Sequence, residues 1–251
     1  MRYSLLDGGK RLRPLIILSV CDALGGRTTE AMPAACAVEM IHTYSLIHDD
    51  LPAMDDDDFR RGKRSNHRAF DEATAILAGD ALQAAAFELI AKRTRDAAVA
   101  ARLTFELASA AGAAGMCGGQ QLDLAPKADV EEIHRRKTGA LLTASARMGA
   151  IAAGAAPRTL TRITRYGRSL GLAFQIVDDI LDVLGSARDL GKTPGKDARQ
   201  GKRTYPARYG LEESRRRADS CVMDALRAVG FLGKRGAILK DLARWVSSRT
   251  H

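Results

Sequence analysis

The chain has 251 residues and 27.0 kDa, 46% of them hydrophobic, enough to bury a sizeable core as one large domain or two small ones. No uninterrupted apolar run reaches the roughly 18 residues of a membrane span, Met1–Lys10 is no signal peptide, and the four cysteines (Cys21, Cys36, Cys117, Cys221) lack CxxC spacing, which points to reduced thiols and a cytoplasmic setting. The net charge of +9 is one that nucleic acid would suit, yet aromatics are only 5% and no nucleic-acid-binding motif is present; anionic small substrates account for part of the excess equally well.

Alanine-rich helical patterns recur along the chain and no alternating segment reads as a strand, so the expected fold is all-α. Asp7–Pro14 (DGGKRLRP) opens with a Gly8-Gly9 loop, and Pro14 suits the first turn of a helix over Leu15–Leu24. Lys10, Arg11 and Arg13 then crowd a helix N-terminus, where the dipole is already positive; the placement makes sense if an anion binds there. A second helix starts at Thr28–Met32 and runs through His48. His42, Ser45 and Asp49 share one stripe of it, and Pro52 distorts it.

Six aspartates (Asp49, Asp50, Asp55, Asp56, Asp57, Asp58) follow within ten residues, then Arg60, Arg61, Lys63, Arg64 and Arg68. Carboxylates this dense raise one another's pKa unless cations neutralise them, and all-oxygen ligation favours Mg²⁺. A local bulge at Leu51–Ala53 would bring Asp49 and Asp55 to one site. The arginines' planar forks suit bidentate phosphate contact.

Helices are expected over Ala73–Ile90, Ala101–Ala114 and Glu131–Ala153, the last carrying Lys137-Thr138-Gly139. The segment through Gly171–Gly185 (GLAFQIVDDILDVLG) is helical and apolar except on one face. There Gln175, Asp178, Asp179 and Asp182 fall within roughly 100° of arc. A basic loop of about 20 residues, Gly185–Pro206, carries Lys192, Lys196, Lys202 and Arg203 and is placed to fold over a metal-bound anion. Amphipathic helices complete Leu211–Arg249. Two acidic faces, a set of cations and apolar surroundings suit a metal–diphosphate complex in which diphosphate is the leaving group and a carbocation is shielded from water.

The ordered set GGKRLRP, IHTYSLIHDDLPAMDDDDFRRG, GDALQ, GMCGGQQLDL, KTGAL, GLAFQIVDDILDVLG and GKDARQGKRTYP covers about Asp7 to Pro206. It resembles the trans-isoprenyl diphosphate synthases, most closely those of the bacterial farnesyl type. The resemblance implies an all-α isoprenoid synthase-type bundle around a large central cavity, a single domain over residues 1–251, and a homodimer. It implies head-to-tail condensation of isopentenyl diphosphate with an allylic diphosphate, dimethylallyl or geranyl, using three Mg²⁺. Asp49, Asp55 and Asp178 would bind the metal, with Asp50, Asp179 and Asp182 completing the clusters. Lys10, Arg13, His42 and Arg61 would hold isopentenyl diphosphate; Arg60, Lys137, Thr138, Gln175, Lys192 and Lys202 would hold the allylic diphosphate. Asp49, Asp178, Lys137 and Lys192 would carry the ionisation, and the departing diphosphate would take the final proton.

Tyr44, five residues or roughly 7.5 Å before Asp49 along a helix, and Ser45, one turn before it, would set chain length. In the family an aromatic residue at the first position resembles a floor that stops growth at fifteen carbons, so farnesyl diphosphate is the expected product. Geranyl or geranylgeranyl diphosphate synthesis, or a non-catalytic subunit of a heteromeric synthase, are the alternatives. The chain departs from the family in the short stretch before GGKR, which lacks the usual N-terminal helix, in a short segment between Asp123 and His134, and in Arg64 where a proline is usual.

Overall fold

The computed structural model describes residues 1–6, 8–125, 128–184 and 204–248. Its helices run in the order α1 (Arg2–Leu5), α2 (Leu12–Ala23), α3 (Thr28–Asp49), α4 (Asn66–Ala69), α5 (Glu72–Arg93), α6 (Ala97–Ala111), α7 (Met116–Asp123) and α8 (Val130–His134). A π-helical turn, Arg135–Gly139, leads into α9 (Ala140–Ala152) and α10 (Pro157–Leu184). Then come α11 (Tyr205–Tyr209), α12 (Leu211–Ala228), a 3₁₀ turn at Gly230–Leu232 and α13 (Ala237–Ser248). The expected all-α fold is therefore present.

The long helices lie where apolar periodicity put them; their starts are fixed by short polar side chains outside that pattern. Asp71 accepts from the Thr74 N–H at 2.7 Å, Asp96 from Ala98 at 2.8 Å, and Asp129 from Glu131 at 2.7 Å. Each satisfies an orphan donor of a first turn, so α5, α6 and α8 begin earlier than apolar spacing alone suggests. Among the described residues one hairpin interrupts the helices: β1 (Phe59–Arg60) pairs antiparallel with β2 (Lys63–Arg64). Alternation could not announce strands two residues long. Arg61 and Gly62 between them have φ of 54° and 82°, the left-handed pair of a tight two-residue turn.

The core falls in two parts. One gathers Ile163, Tyr166, Leu170, Ala173 and Val177 of α10 with Ala218, Val222, Leu239 and Ala243 of α12 and α13. The other gathers Ile41, Tyr44 and Ile47 of α3 with Leu82 and Ile90 of α5, Leu103 and Leu107 of α6, and Met148 of α9. Helices α2 and α9 supply side chains to both. The two acid-bearing helices, α3 and α10, thus belong to opposite halves, with α9 and the π turn between them.

Helix α5 revises one sequence expectation. It is 22 residues long with a mean hydropathy of 1.3 over its most apolar window, enough by length and composition to cross a membrane, although no single uncharged run shows it. Ala75, Ala78, Leu82, Ala86 and Ile90 are buried against the rest of the chain, while Leu77 is 66% exposed.

Candidate active site

Helix α3 ends at Asp49, and the chain turns back on itself. The Asp55 N–H donates to the Asp49 carbonyl at 2.9 Å and the Asp57 N–H to that of Asp50 at 3.2 Å. This return brings Asp55 beside Asp49, as the bulge at Leu51–Ala53 was expected to do. Burial pushes the Asp49 carboxyl up to about 6, with Asp55 and Asp50 adding to the rise and the Lys137 ammonium opposing it. Asp50 is 2% exposed and is also pushed up to about 6 by burial, against the Arg60 guanidinium. Arg60 Nε donates to Asp50 Oδ1 at 2.9 Å, and its NH2 reaches Asp57 Oδ2 at 3.0 Å. The side chain expected to grip a diphosphate thus pairs with the acidic loop, and Asp50 is held by it.

The second acidic cluster lies on α10. Asp178 and Asp179 are neighbours, so they point about 100° apart around the axis. Asp178 lies within the field of Arg13. Asp179 turns the other way: its Oδ2 accepts the Tyr205 N–H at 2.9 Å and lies 3.2 Å from His134 Nε2, and its Oδ1 accepts from Gln175 Nε2 at 3.2 Å. Asp182, one turn on, is buried. Expected as a metal ligand, Asp179 instead has both oxygens taken by protein donors.

The π turn reaches between the clusters. Lys137 Nζ lies 2.6 Å from Asp123 Oδ2 of α7 and close enough to Asp49 to stabilise its charge. Thr138 Oγ1 donates to Gln175 Oε1 at 2.6 Å. Gly119 permits the approach of α7, since a Cβ there would lie 2.2 Å from the Lys137 backbone nitrogen. π-helical turns are rare and concentrate at functional positions.

A basic bay adjoins the first cluster. Arg11, at the start of α2 with φ of 48°, donates to Glu39 Oε1 at 2.7 Å; Arg61 NH2 lies 3.5 Å from the same oxygen. Two arginines held in left-handed backbone around one buried glutamate mark a site where strain is tolerated. Arg13 is pulled down to about 10 by burial, partly offset by Glu39 and Asp178, and its buried Nε donates to no acceptor among the described residues. Burial together with Arg13, Arg61, Arg60 and Arg11 pushes His42 well below its ordinary value, so its imidazole is neutral near pH 7. Lys10 lies over the Trp245 ring at 5.5 Å. Lys192 and Lys202 fall outside the described residues.

Below Asp49, Tyr44 is 5% exposed, its hydroxyl 3.4 Å from Cys117 Sγ and its ring 5.7 Å from that of His48. Ser45 Oγ donates to the His42 carbonyl at 2.9 Å.

Among the described residues no three His, Cys, Asp or Glu side chains converge closely enough to hold an ion by themselves. That suits Mg²⁺, which takes one or two carboxylates and completes its shell with water and substrate phosphate. The donors at Asp49, Asp55 and Asp178 are all oxygen, and Asp49 and Asp55 lie side by side, so the residues fit such an ion. Glu39, Asp123, His134 and Tyr205 were not anticipated. Glu39 could have been noticed one helical turn before His42 in an otherwise apolar stretch; the others carry no periodic signal.

A helical chain with carboxylates clustered on two helices, a lysine beside Asp49 and an arginine bay carries the groups that hold a metal-bound polyanion. The Polyprenyl synthetase family profile matches residues 1–230, and the chain belongs to that family. It is 48% identical over 263 residues to the heterodimeric geranylgeranyl pyrophosphate synthase large subunit 1 of Arabidopsis thaliana, covering 99% of this chain and 71% of that protein. It is 45% identical over 260 residues to the farnesyl diphosphate synthase of Bacillus subtilis, covering 100% and 88%. Among solved structures it resembles an FPP/GFPP synthase from Zymomonas mobilis with a TM-score of 0.88 at 38% identity, covering 98% of this chain and 86% of that one. It also resembles a geranyltransferase from Helicobacter pylori complexed with magnesium and isoprenyl diphosphate, with a TM-score of 0.85 at 32% identity, covering 98% and 85%.

Proposed function

We propose that this chain is a Mg²⁺-dependent farnesyl diphosphate synthase, joining isopentenyl diphosphate to dimethylallyl and then geranyl diphosphate. Family membership supports the coarser statement, trans-prenyl transfer. The observation that supports the reading is that each acidic cluster has a cation beside it, Lys137 at Asp49 and Arg13 at Asp178. Bound Mg²⁺ would supply charge stabilisation of the departing diphosphate, and the family resemblance implies three ions. Asp49, Asp55 and Asp178 are the ligands we assign, with Asp182 beside them on α10. Lys137 supplies a cation beside Asp49, and Thr138, next to it in the chain, bonds Gln175 of α10. Arg13, Arg61 and neutral His42 form the bay for isopentenyl diphosphate, with Lys10 at its edge. Lys192 and Lys202 are assigned to the allylic diphosphate from the resemblance.

Tyr44 supports the fifteen-carbon product, because its ring lies buried one to two turns below Asp49. Geranylgeranyl diphosphate is the competing product, favoured by the name of the 48%-identical Arabidopsis relative. The apolar outer faces of α5 and α6 support a homodimer, and free thiols at Cys21, Cys36, Cys117 and Cys221 support a reducing, cytoplasmic setting. The test is incubation with isopentenyl and geranyl diphosphates plus Mg²⁺, followed by product identification. Asp178→Ala should lower turnover by about 10³-fold while circular dichroism stays unchanged. Retention of full activity in that variant would remove the metal assignment.

A further inference from the structure

The acidic face of α10 divides between two tasks. Asp178 lies toward Arg13, whereas Asp179, about 100° around the helix, is 4% exposed and faces α8 and α11. Its polar partners come from three separate elements: His134, with Nε2 3.2 Å away, closes α8, while the donors Tyr205 and Gln175 open α11 and lie one turn back on α10. Gln175 passes the connection on by accepting from Thr138. His134 and Thr138 stand on either side of Lys137 in the chain, so the run His134–Asp179–Gln175–Thr138 fastens both ends of the π turn to one helix. The His134 ring also stacks on Tyr205, centroids 5.2 Å apart and planes 13° apart, which fixes its rotamer. A π turn is intrinsically less favourable than α-helix, so it persists where tertiary contacts hold it.

We propose that His134 and Asp179 are positioning residues for the prenyl transfer: together with Gln175 and Thr138 they brace the π turn and so aim Lys137, while Asp179 leaves metal binding to its neighbour Asp178. The proposal rests on the function assigned above. The contacts that hold Asp179 are those of a buried strut, and Lys137 gains its direction toward Asp123 and Asp49 from the turn they secure.

Four single variants, Asp178→Asn, Asp179→Asn, His134→Leu and His134→Gln, and the double variant H134L/D179N decide it. Two quantities are measured: kcat and KM for the allylic substrate, and Mg²⁺ affinity in the presence of inorganic diphosphate by calorimetry. Asp179→Asn and His134→Leu should each lower kcat by about 100-fold, the scale of a catalytic group displaced by about 1 Å, and the double variant should lose no more than either single. H134Q, whose amide nitrogen can replace Nε2, should recover most of the loss. Mg²⁺ affinity should stay within about twofold in Asp179→Asn and fall at least about tenfold in Asp178→Asn. Equal weakening of Mg²⁺ binding in the two aspartate variants overturns the proposal, as does a double-variant loss equal to the product of the single losses. An H134Q as poor as H134L overturns it too. If H134L fails to fold, D179N and H134Q carry the comparison. Should the wild-type chain fail to transfer prenyl groups, the assigned function falls, while the calorimetric arm still separates Asp178 from Asp179.

Discussion

Glu39 shows at the scale of one side chain how the basic bay is kept together. Its carboxylate is buried and shared by Arg11 and Arg61, both in left-handed backbone that ordinary residues avoid. Glu39→Gln keeps the volume and removes the charge, leaving both cations to repel each other and Arg13. It should lower stability by about 2 kcal/mol, read as a fall in denaturation midpoint with an unchanged m-value. A variant as stable as the parent would mean that Glu39 holds neither arginine. Tyr44 is the second residue-scale case. Tyr44→Ala removes a ring that fills space below Asp49, so products should lengthen toward twenty carbons or beyond, read by chromatography of the dephosphorylated alcohols. An unchanged product would show that the growing chain never meets this ring.

The decisive element is α10, 28 residues or roughly 42 Å of helix with one side wholly in the core. Its position is fixed by the apolar stripe Ile163, Tyr166, Leu170, Ala173, Val177, and by one buried polar tie, the Tyr166 hydroxyl donating to the Leu239 carbonyl at 2.9 Å. Tyr166→Phe should cost about 1 kcal/mol in thermal or urea unfolding and leave turnover intact, because the tie lies far along the helix from Asp178. A large loss of activity without loss of stability would mean that the α10–α13 contact reaches the site. The π turn is the complementary element. Residues 135–139 continue a helical pattern seamlessly, so periodicity alone cannot separate five-residue from four-residue hydrogen bonding. The wider turn follows from packing of α7 through Gly119 and of α10 through Gly171, where a Cβ would meet Gly139 Cα at 3.1 Å.

For the whole molecule, the notable surface is the outer face of α5 and α6. Leu77 is 66% and Phe105 69% exposed, and Ala73, Ala81 and Ala84 extend the apolar stripe along α5. Such a stripe is larger than scattered surface leucines need. We expect it to be the self-association face: sedimentation should give about twice the chain's 27.0 kDa, and Leu77→Glu should shift the protein toward monomer. A parent protein that sediments as a monomer at micromolar concentration would refute this. The same face explains why α5 meets the composition of a membrane span while half its circumference is packed against α3 and α6.

The amino-acid sequence determined the all-α character, the place of each long helix and the existence of two acidic faces, because spacing at three and four residues decides locally which side chains share a side. It also placed Tyr44 beneath Asp49, a distance set by helical rise alone. Tertiary packing decided the rest. Asp50 and Asp179 read in sequence like Asp49 and Asp178, yet the first is clasped by Arg60 from a hairpin and the second by His134 and Tyr205 from helices up to 45 residues away. What each carboxylate meets depends on what is folded against it, and partners that distant in the chain leave no periodic trace.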